Sequence, residues 1–454
     1  MNAASTRSAT TRRVVVTGMG WITPLGTTID GVWSKLVTGA SAVGPITRFP
    51  ASSFATNFAA EVRDFRLSDH LADTTPHVHA HLNAQYALAA ASHAWRLARL
   101  TEASSLNPRR VGVYLGAGEG ILDFENYVAA NLAGWNAETR TMDDVAWHRV
   151  ADARLEAHCE MEQEPNMPLS HIARAFNVRG PAYNSLTACA ASTQAIGEAT
   201  EIVRRGRADV MIAGGAHTMI HPLGVTGFIR LTALSGRTDD HATASRPFDQ
   251  TRDGFVMGEG AGIVILEELE HARARGVTPL AEIIGYGSSA DAYRITDIQP
   301  EGLGAVASMN EALVEAGIDP RAADEQGRPQ VHYVSAHGTG TKENDSVETR
   351  AIKHVFGDLS PRIPMSSIKS MMGHLIQAAG AVELISCVQA IATGWLPPTI
   401  NVGEQDANCD LDVVPNKARD LNPKGGVEVC LSNSFGFGGQ NDSIVVRRFD
   451  PASV

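Results

Sequence analysis

Two distant stretches of this chain carry one pattern, and that echo restricts the folds open to it. Residues 13–20 and 281–287 are both strand-like runs that end in a Gly-x-Gly turn, and helical patterning follows each. Residues 111–118 have a counterpart in 331–338, and the segment around Cys189 has one in the segment carrying Lys369 and His374. Strands and helices that alternate in this way predict doubly wound, parallel or mixed sheets. Two such halves stacked about a pseudo-twofold bring the starts of two central helices together, and with them Cys189 and His374. The expected division is 13–276 and 277–448, with an insertion around 119–165. Residues 1–12 are rich in Ser, Thr and Ala and lack an apolar stretch, so they read as a disordered tail and not a transit segment.

At 454 residues, a duplicated α/β body is within reach, and 44% hydrophobic against 19% charged residues predicts a sizeable core. A net charge of −12 argues against nucleic acid as a general partner. No uninterrupted apolar run of spanning length occurs, so no membrane span is expected. Cys159, Cys189, Cys387, Cys409 and Cys430 form no C-x-x-C pair; neither a disulfide framework nor a zinc ribbon fits, and a reducing cytoplasm is expected.

Cys189 lies in Ser185-Leu186-Thr187-Ala188-Cys189-Ala190-Ala191-Ser192. Residues 190–205 contain no Pro and read as a helix whose first turn begins at the cysteine. There the thiol meets unpaired N–H groups and the positive end of the helix dipole, which favours thiolate. A buried structural cysteine is the alternative. His337 ends the apolar run 331–336 and enters a Gly/Thr-rich loop; His374 follows Gly373 and opens a core-helix pattern over 375–392. Both imidazoles therefore sit at element ends, where catalytic groups are usually held. Gly18-Met19-Gly20-Trp21-Ile22-Thr23 is no dinucleotide loop, since Thr23 replaces the third glycine and Pro24 interrupts the helix start. Gly436-Phe437-Gly438-Gly439 lacks the Lys-Ser/Thr ending of a phosphate loop.

Several motifs in order resemble the beta-ketoacyl-acyl carrier protein synthases. They are residues 14–20 with Thr23-Pro24-Leu25-Gly26, the Cys189 segment, Arg246-Pro247-Phe248-Asp249 with Arg252-Asp253-Gly254-Phe255, both histidine segments, Pro397-Pro398-Thr399-Ile400-Asn401, and Asn433-Ser434-Phe435-Gly436-Phe437-Gly438-Gly439. The resemblance implies an α/β thiolase-like fold, two pseudo-duplicated halves layered α-β-α-β-α, and decarboxylative Claisen condensation. It implies Cys189 as nucleophile, the backbone N–H groups of Cys189 and Phe435 as oxyanion donors, and Nε2–H donation from His337 and His374 to an enolate. Lys369 becomes a buried supporting cation with Glu383 as partner and Asp345 and Glu348 nearby. Phe435 gates the acyl pocket with Phe255 beside it, and Phe437 contacts substrate. Thr339 and Thr341 suit the amides of a pantetheine arm, though loop residues bonding their own backbone read the same. An acyl carrier protein partner and a homodimer are implied, with a heterodimer open, and neither cofactor nor metal is expected.

Two departures stand out. Glu119, in Gly116-Ala117-Gly118-Glu119-Gly120-Ile121, occupies a position that is apolar in the family and lines the acyl tunnel, which argues against long alkyl substrates. His77, His79 and His81 stand where relatives carry basic residues facing the carrier, and predict a weaker, pH-dependent attraction. Their spacing on a helix does not gather three metal ligands on one face. A noncatalytic partner subunit and a thiolase or thioester hydrolase remain as alternatives; the first is opposed by Cys189, the second by Cys430 lying inside a strand-like run.

Overall fold

Val14, Val15 and Val16 open a strand whose nine residues are all buried, as a strand covered on both faces requires. In the computed structural model, which describes residues 12–103, 106–295 and 298–452, this strand, β1 (Val14–Ile22), runs near the middle of a ten-stranded sheet. The others are β2 (Val111–Ala117), β3 (Ala182–Ser185), β4 (Val210–His217), β5 (Gly260–Glu268), β6 (Ala281–Ala290), β7 (Tyr333–Ser335), β8 (Met365–Ser366), β9 (Val429–Gly436) and β10 (Gln440–Arg447). Their order across the sheet is β8-β7-β9-β10-β6-β1-β5-β4-β2-β3.

Outward from the centre the two sides repeat. β1 and β6 pair antiparallel through Val14–Ile283, Val15–Glu282 and Val16–Ala281, which joins the halves into one continuous sheet. On one side β5 and β4 follow antiparallel, then β2 and β3 parallel; on the other, β10 and β9 antiparallel, then β7 and β8 parallel.

The helices that matter here are α1 (Leu82–Leu97), α2 (Phe124–Gly134), α3 (Asp144–Arg154), α4 (Ala157–Glu162), α5 (Met167–Ala175), α6 (Ala191–Arg204), α7 (Pro222–Arg230), α8 (Leu303–Glu315), α9 (Lys342–Phe356) and α10 (Ala379–Thr393). α1 covers β1 and β5, and α8 covers β6 and β10, while α6 and α10 each touch strands of both halves and so lie between them. The result is the five-layer α-β-α-β-α thiolase-like arrangement. The repeated Gly-x-Gly has a packing cause. A Cβ at Gly18 or Gly20 would stand 2.1 Å from Ala94 O or 2.3 Å from Ala90 O of α1, and one at Gly285 or Gly287 would stand 2.0 Å from Ala312 O or 2.1 Å from Ser308 O of α8. Each outer helix thus rests directly on strand backbone.

α10 is buried from Ala379 to Ile391, and each fully buried Val, Leu or Ile side chain contributes about 1.5–3 kcal/mol. The stretch Ile376–Thr393 is long and apolar enough to cross a membrane, yet it is this buried core helix. Where α6 and α10 meet, the Ser192 hydroxyl accepts from Ala381 N–H at 3.0 Å, and a Cβ on Gly380 would clash with Thr193 Oγ1 at 1.8 Å. The starts of the two central helices therefore converge.

Of the tail expected at 1–12, residues 1–11 lie outside the described residues, and Arg12 is held to Asp209 by a 3.2 Å ion pair. The insertion expected around 119–165 contains α2, α3 and α4. The histidine run departs from expectation, because it is one 3-10 turn (Thr75–His77) followed by a loop. His77 is buried with Nδ1 2.8 Å from His171 Nδ1, His81 is half-buried ahead of α1, and only His79 is exposed, so no carrier-facing histidine patch forms.

Candidate active site

The Cys189 turn packs against glycine-rich backbone. A Cβ at Gly436 would stand 2.9 Å from Thr187 O, and one at Gly116 would stand 2.3 Å from the Ala191 carbonyl carbon. Cys189 lies in a 3-10 turn, Ala188–Ala190, and α6 begins two residues after the thiol, not at it. Ala188 takes φ of 45°, a left-handed conformation that costs a non-glycine residue about 1–2 kcal/mol. Ile376 repeats it at 42° in the matching turn before α10.

Three remote segments bring their side chains to one point. Cys189, His337 and His374 are 5%, 2% and 1% exposed, and one ligand-type atom from each lies within 4.8 Å of the others, close enough to hold a metal ion as well as to react. The two imidazole rings meet edge to face with centroids 5.5 Å apart. His337 follows β7, and its backbone N–H and that of Gly338 donate to Glu348 at 2.8 Å each. Its carbonyl accepts from Lys369 Nζ at 2.6 Å, and Lys369 forms a buried ion pair with Glu383. His374 is clamped by its N–H to Val256 O at 2.7 Å and its carbonyl from Gly258 N–H at 2.9 Å. Its Nδ1 accepts from Ile376 N–H at 3.3 Å, so the neutral ring carries its proton on Nε2, which is buried without a protein partner. The Nδ1 of His337 is likewise buried without a partner, so no hydrogen bond on that atom fixes its tautomer.

Burial first, then the Lys369 charge, holds both imidazoles well below their usual 6.5. Burial lifts Glu348 and Glu383 to about 7, with backbone N–H groups pulling the first back and Lys369 the second. Cys189 departs from the thiolate expectation. Burial pushes its thiol up to about 11, although Lys369 and the N–H groups of Phe437 and Cys189 itself act the other way. Asp345 belongs to a neighbouring knot: it accepts from Phe248 N–H at 2.8 Å and Gly340 N–H at 3.1 Å and faces Arg252 Nε at 3.5 Å.

Family models extend over most of the chain, with the beta-ketoacyl synthase N-terminal domain matching residues 11–272 and the C-terminal domain matching 280–403. The chain belongs to the beta-ketoacyl synthase family. It is 41% identical to the 3-oxoacyl-[acyl-carrier-protein] synthase 2 of Coxiella burnetii over 96% of this chain and 99% of that one. It is also 41% identical to the protein of the same name from Synechocystis, over 96% and 98%. Among solved structures, the ishigamide ketosynthase/chain length factor superposes with a TM-score of 0.82 at 35% identity, covering 97% of this chain and 100% of that one. A beta-ketoacyl synthase from Burkholderia phymatum gives 0.82 at 33%, with the same coverage.

In this synthase fold the aromatic positions differ from expectation. Phe435 lies inside β9 opposite Asn441, so its backbone belongs to the ladder with β10, and its ring packs 5.7 Å from His337. The N–H that reaches the sulfur of Cys189 is that of Phe437, which sits past the strand end, half-exposed, ahead of Gly438 and Gly439 at φ 90° and 74°. Phe255 packs on the other imidazole, 5.2 Å from His374 and 5.5 Å from Phe228. The reaction chamber, about 40 Å³, is lined by Cys189, both histidines, Phe435, Phe437 and Thr339 among others. An outer cleft of about 730 Å³ shares Ile298, Thr341, Asn344 and Phe437 with it, so these four residues stand between the two spaces.

Thr341 caps α9 by accepting from Asn344 N–H at 3.3 Å, and its hydroxyl is 3.1 Å from that of Thr339, so both line the passage while bonding their own loop. Glu119 does not line the chamber. It is exposed at a separate groove of about 490 Å³ formed with Met219, His221, Leu223 and Phe228. Ile298, Asn344 and the Phe437 N–H are the site elements sequence reading missed. The glycines flanking Phe437 were the available signal, since a backbone donor needs no particular side chain.

Proposed function

We propose that this chain is a beta-ketoacyl-[acyl-carrier-protein] synthase that condenses an acyl group on Cys189 with a malonyl thioester in fatty-acid or polyketide biosynthesis. The observation that carries this reading is the convergence of one thiol and two neutral imidazoles in a single buried chamber. The neutral thiol attacks the acyl thioester as His337, whose tautomer is free, takes its proton and passes it to the departing carrier thiol. The N–H groups of Cys189 and Phe437 stabilise the oxyanion, each donor of this kind lowering the barrier by about 3–4 kcal/mol. A malonyl thioester then occupies the chamber with its carbonyl oxygen against His374 Nε2–H and His337. Loss of CO2 leaves an enolate there, and its carbon attacks the Cys189 thioester and expels the sulfur. Lys369 is a positioning residue that holds the His337 carbonyl, and Glu348 positions the same loop through two N–H groups. Exclusion of water protects the carbanion.

The acyl chain runs from Cys189 past Phe255 and Phe228 to the groove edged by Glu119, and the pantetheine arm enters through the outer cleft by Thr339 and Thr341. Arg230, Arg294 and Lys342 at that cleft supply the positive charge for an acidic carrier protein that the histidine run does not. A second copy of the chain pairs at β3, one of the two edge strands of the sheet, where Ala182 and Tyr183 are exposed. The boundary between the halves lies at 276/277, and the protein works in the cytoplasm. The test is 3-oxoacyl product formation from malonyl-carrier protein and acyl donors of graded length. The native enzyme favours short or polar-ended donors and Glu119→Leu shifts the preference to longer alkyl chains; no product from any donor contradicts the reading.

A further inference from the structure

Glu156 stands at the N-cap of helix α4 and is followed by Ala157, His158 and Cys159, a run whose side chains take no part in the chemistry above. One donor atom each from Glu156, His158 and Cys159 lies within 4.8 Å of the other two. Cys159 Sγ is 3.4 Å from His158 Nε2, and Glu156 Oε2 is 3.2 Å from His158 Nδ1. Next to these three atoms, the exposed ring of His79 from a remote segment stands 4.3 Å from that of His158, centroid to centroid. The surroundings are acidic, with the carboxylates of Asp123, Glu160 and Glu162 near the thiol as well as that of Glu156. That field attracts a dication.

We propose that Glu156, His158, Cys159 and His79 bind a divalent transition-metal ion of the zinc class. One thiol, two imidazoles and one carboxylate make a borderline-soft, four-donor set, which suits zinc and disfavours calcium or magnesium. Binding breaks the Cys159 S–H bond, forms a metal–sulfur bond and releases the proton to solvent. The ion takes Cys159 Sγ and His158 Nε2, and the exposed Glu156 side chain swings from Nδ1 to join them. The consequence is a clip that fastens the 119–165 insertion to the loop ahead of α1.

The reaction chamber offers a second cluster of similar span in Cys189, His337 and His374, so the test uses the full-length Cys189→Ala protein. Titration with Co2+ as probe is expected to bind one ion per chain with a thiolate-to-cobalt charge-transfer band, and Zn2+ is expected to displace it. Adding Cys159→Ser abolishes the band. Adding His79→Ala keeps the band but weakens binding about tenfold or more, the scale seen when a metal site loses even an outer partner. Absence of the band in the Cys189→Ala protein, or its survival in Cys159→Ser, overturns the site; unchanged affinity in His79→Ala overturns the fourth donor. The outcome bears on this site and not on the condensation reading, because none of the four donors lines the chamber and the readout is metal binding.

Discussion

At the scale of single residues, the chamber stores its reactive groups in neutral form. Burial raises the Cys189 thiol and lowers both imidazoles, so charge appears only when substrate chemistry creates it. A lowered imidazole stays neutral as pH falls through 6.5 and protonates only well beneath it. Imidazole protonation is therefore expected to cost malonyl-thioester decarboxylation nothing between about pH 7 and pH 6, where a free imidazole titrates, and any change of rate there traces to Glu348 and Glu383, which sit at about 7. A midpoint near 6.5 that persists in both Glu348→Gln and Glu383→Gln would contradict the neutral assignment. Phe437 offers a second test through its backbone. Phe437→Pro removes that N–H donor together with the ring and is expected to lower the acylation rate about 10²–10³-fold, whereas Phe437→Leu, which loses the ring and keeps the donor, lowers it far less; stopped-flow acylation separates the two.

At the scale of elements, the Lys369–Glu383 pair ties the short helix Lys369–Met372 to α10 across the floor of the site. Removing one partner strands a buried charge, so Lys369→Ala is expected to cost about 3–5 kcal/mol in urea unfolding, and Lys369→Met combined with Glu383→Leu much less. Equal losses in the two proteins would show that the ion pair itself stabilises the fold. Much of this level was legible in sequence. The echo between 13–20 and 281–287 survives because outer helices rest on the same Gly-x-Gly backbone, and no other residue fits there. The partnership of Lys369 with Glu383 was legible only through the family resemblance, and it stands because a buried lysine needs an acid. The oxyanion donor was not, because a backbone N–H leaves no side-chain signature and Phe435 and Phe437 differ only in whether the strand has ended. Nor was the fate of His77 and His81, whose burial depends on His171 and Glu162, residues far along the chain.

At the scale of the whole molecule, pseudo-symmetry builds the site. Ten strands in two matching sets of connections place α6 and α10 back to back, and the turns before them, strained at Ala188 and Ile376, aim Cys189 and the His374 loop into one chamber. His337 arrives separately, at the end of β7. The most direct test is intact-mass spectrometry of the protein with acyl donor and then malonyl-carrier protein, run on native enzyme, Cys189→Ala and a His337→Ala/His374→Ala double variant. The expected result is a Cys189-linked acyl adduct that converts to 3-oxoacyl product in native enzyme, no adduct in Cys189→Ala, and an adduct that forms slowly and stalls in the double variant. Condensation that persists without both imidazoles, or an acyl group found on another residue, would contradict the account.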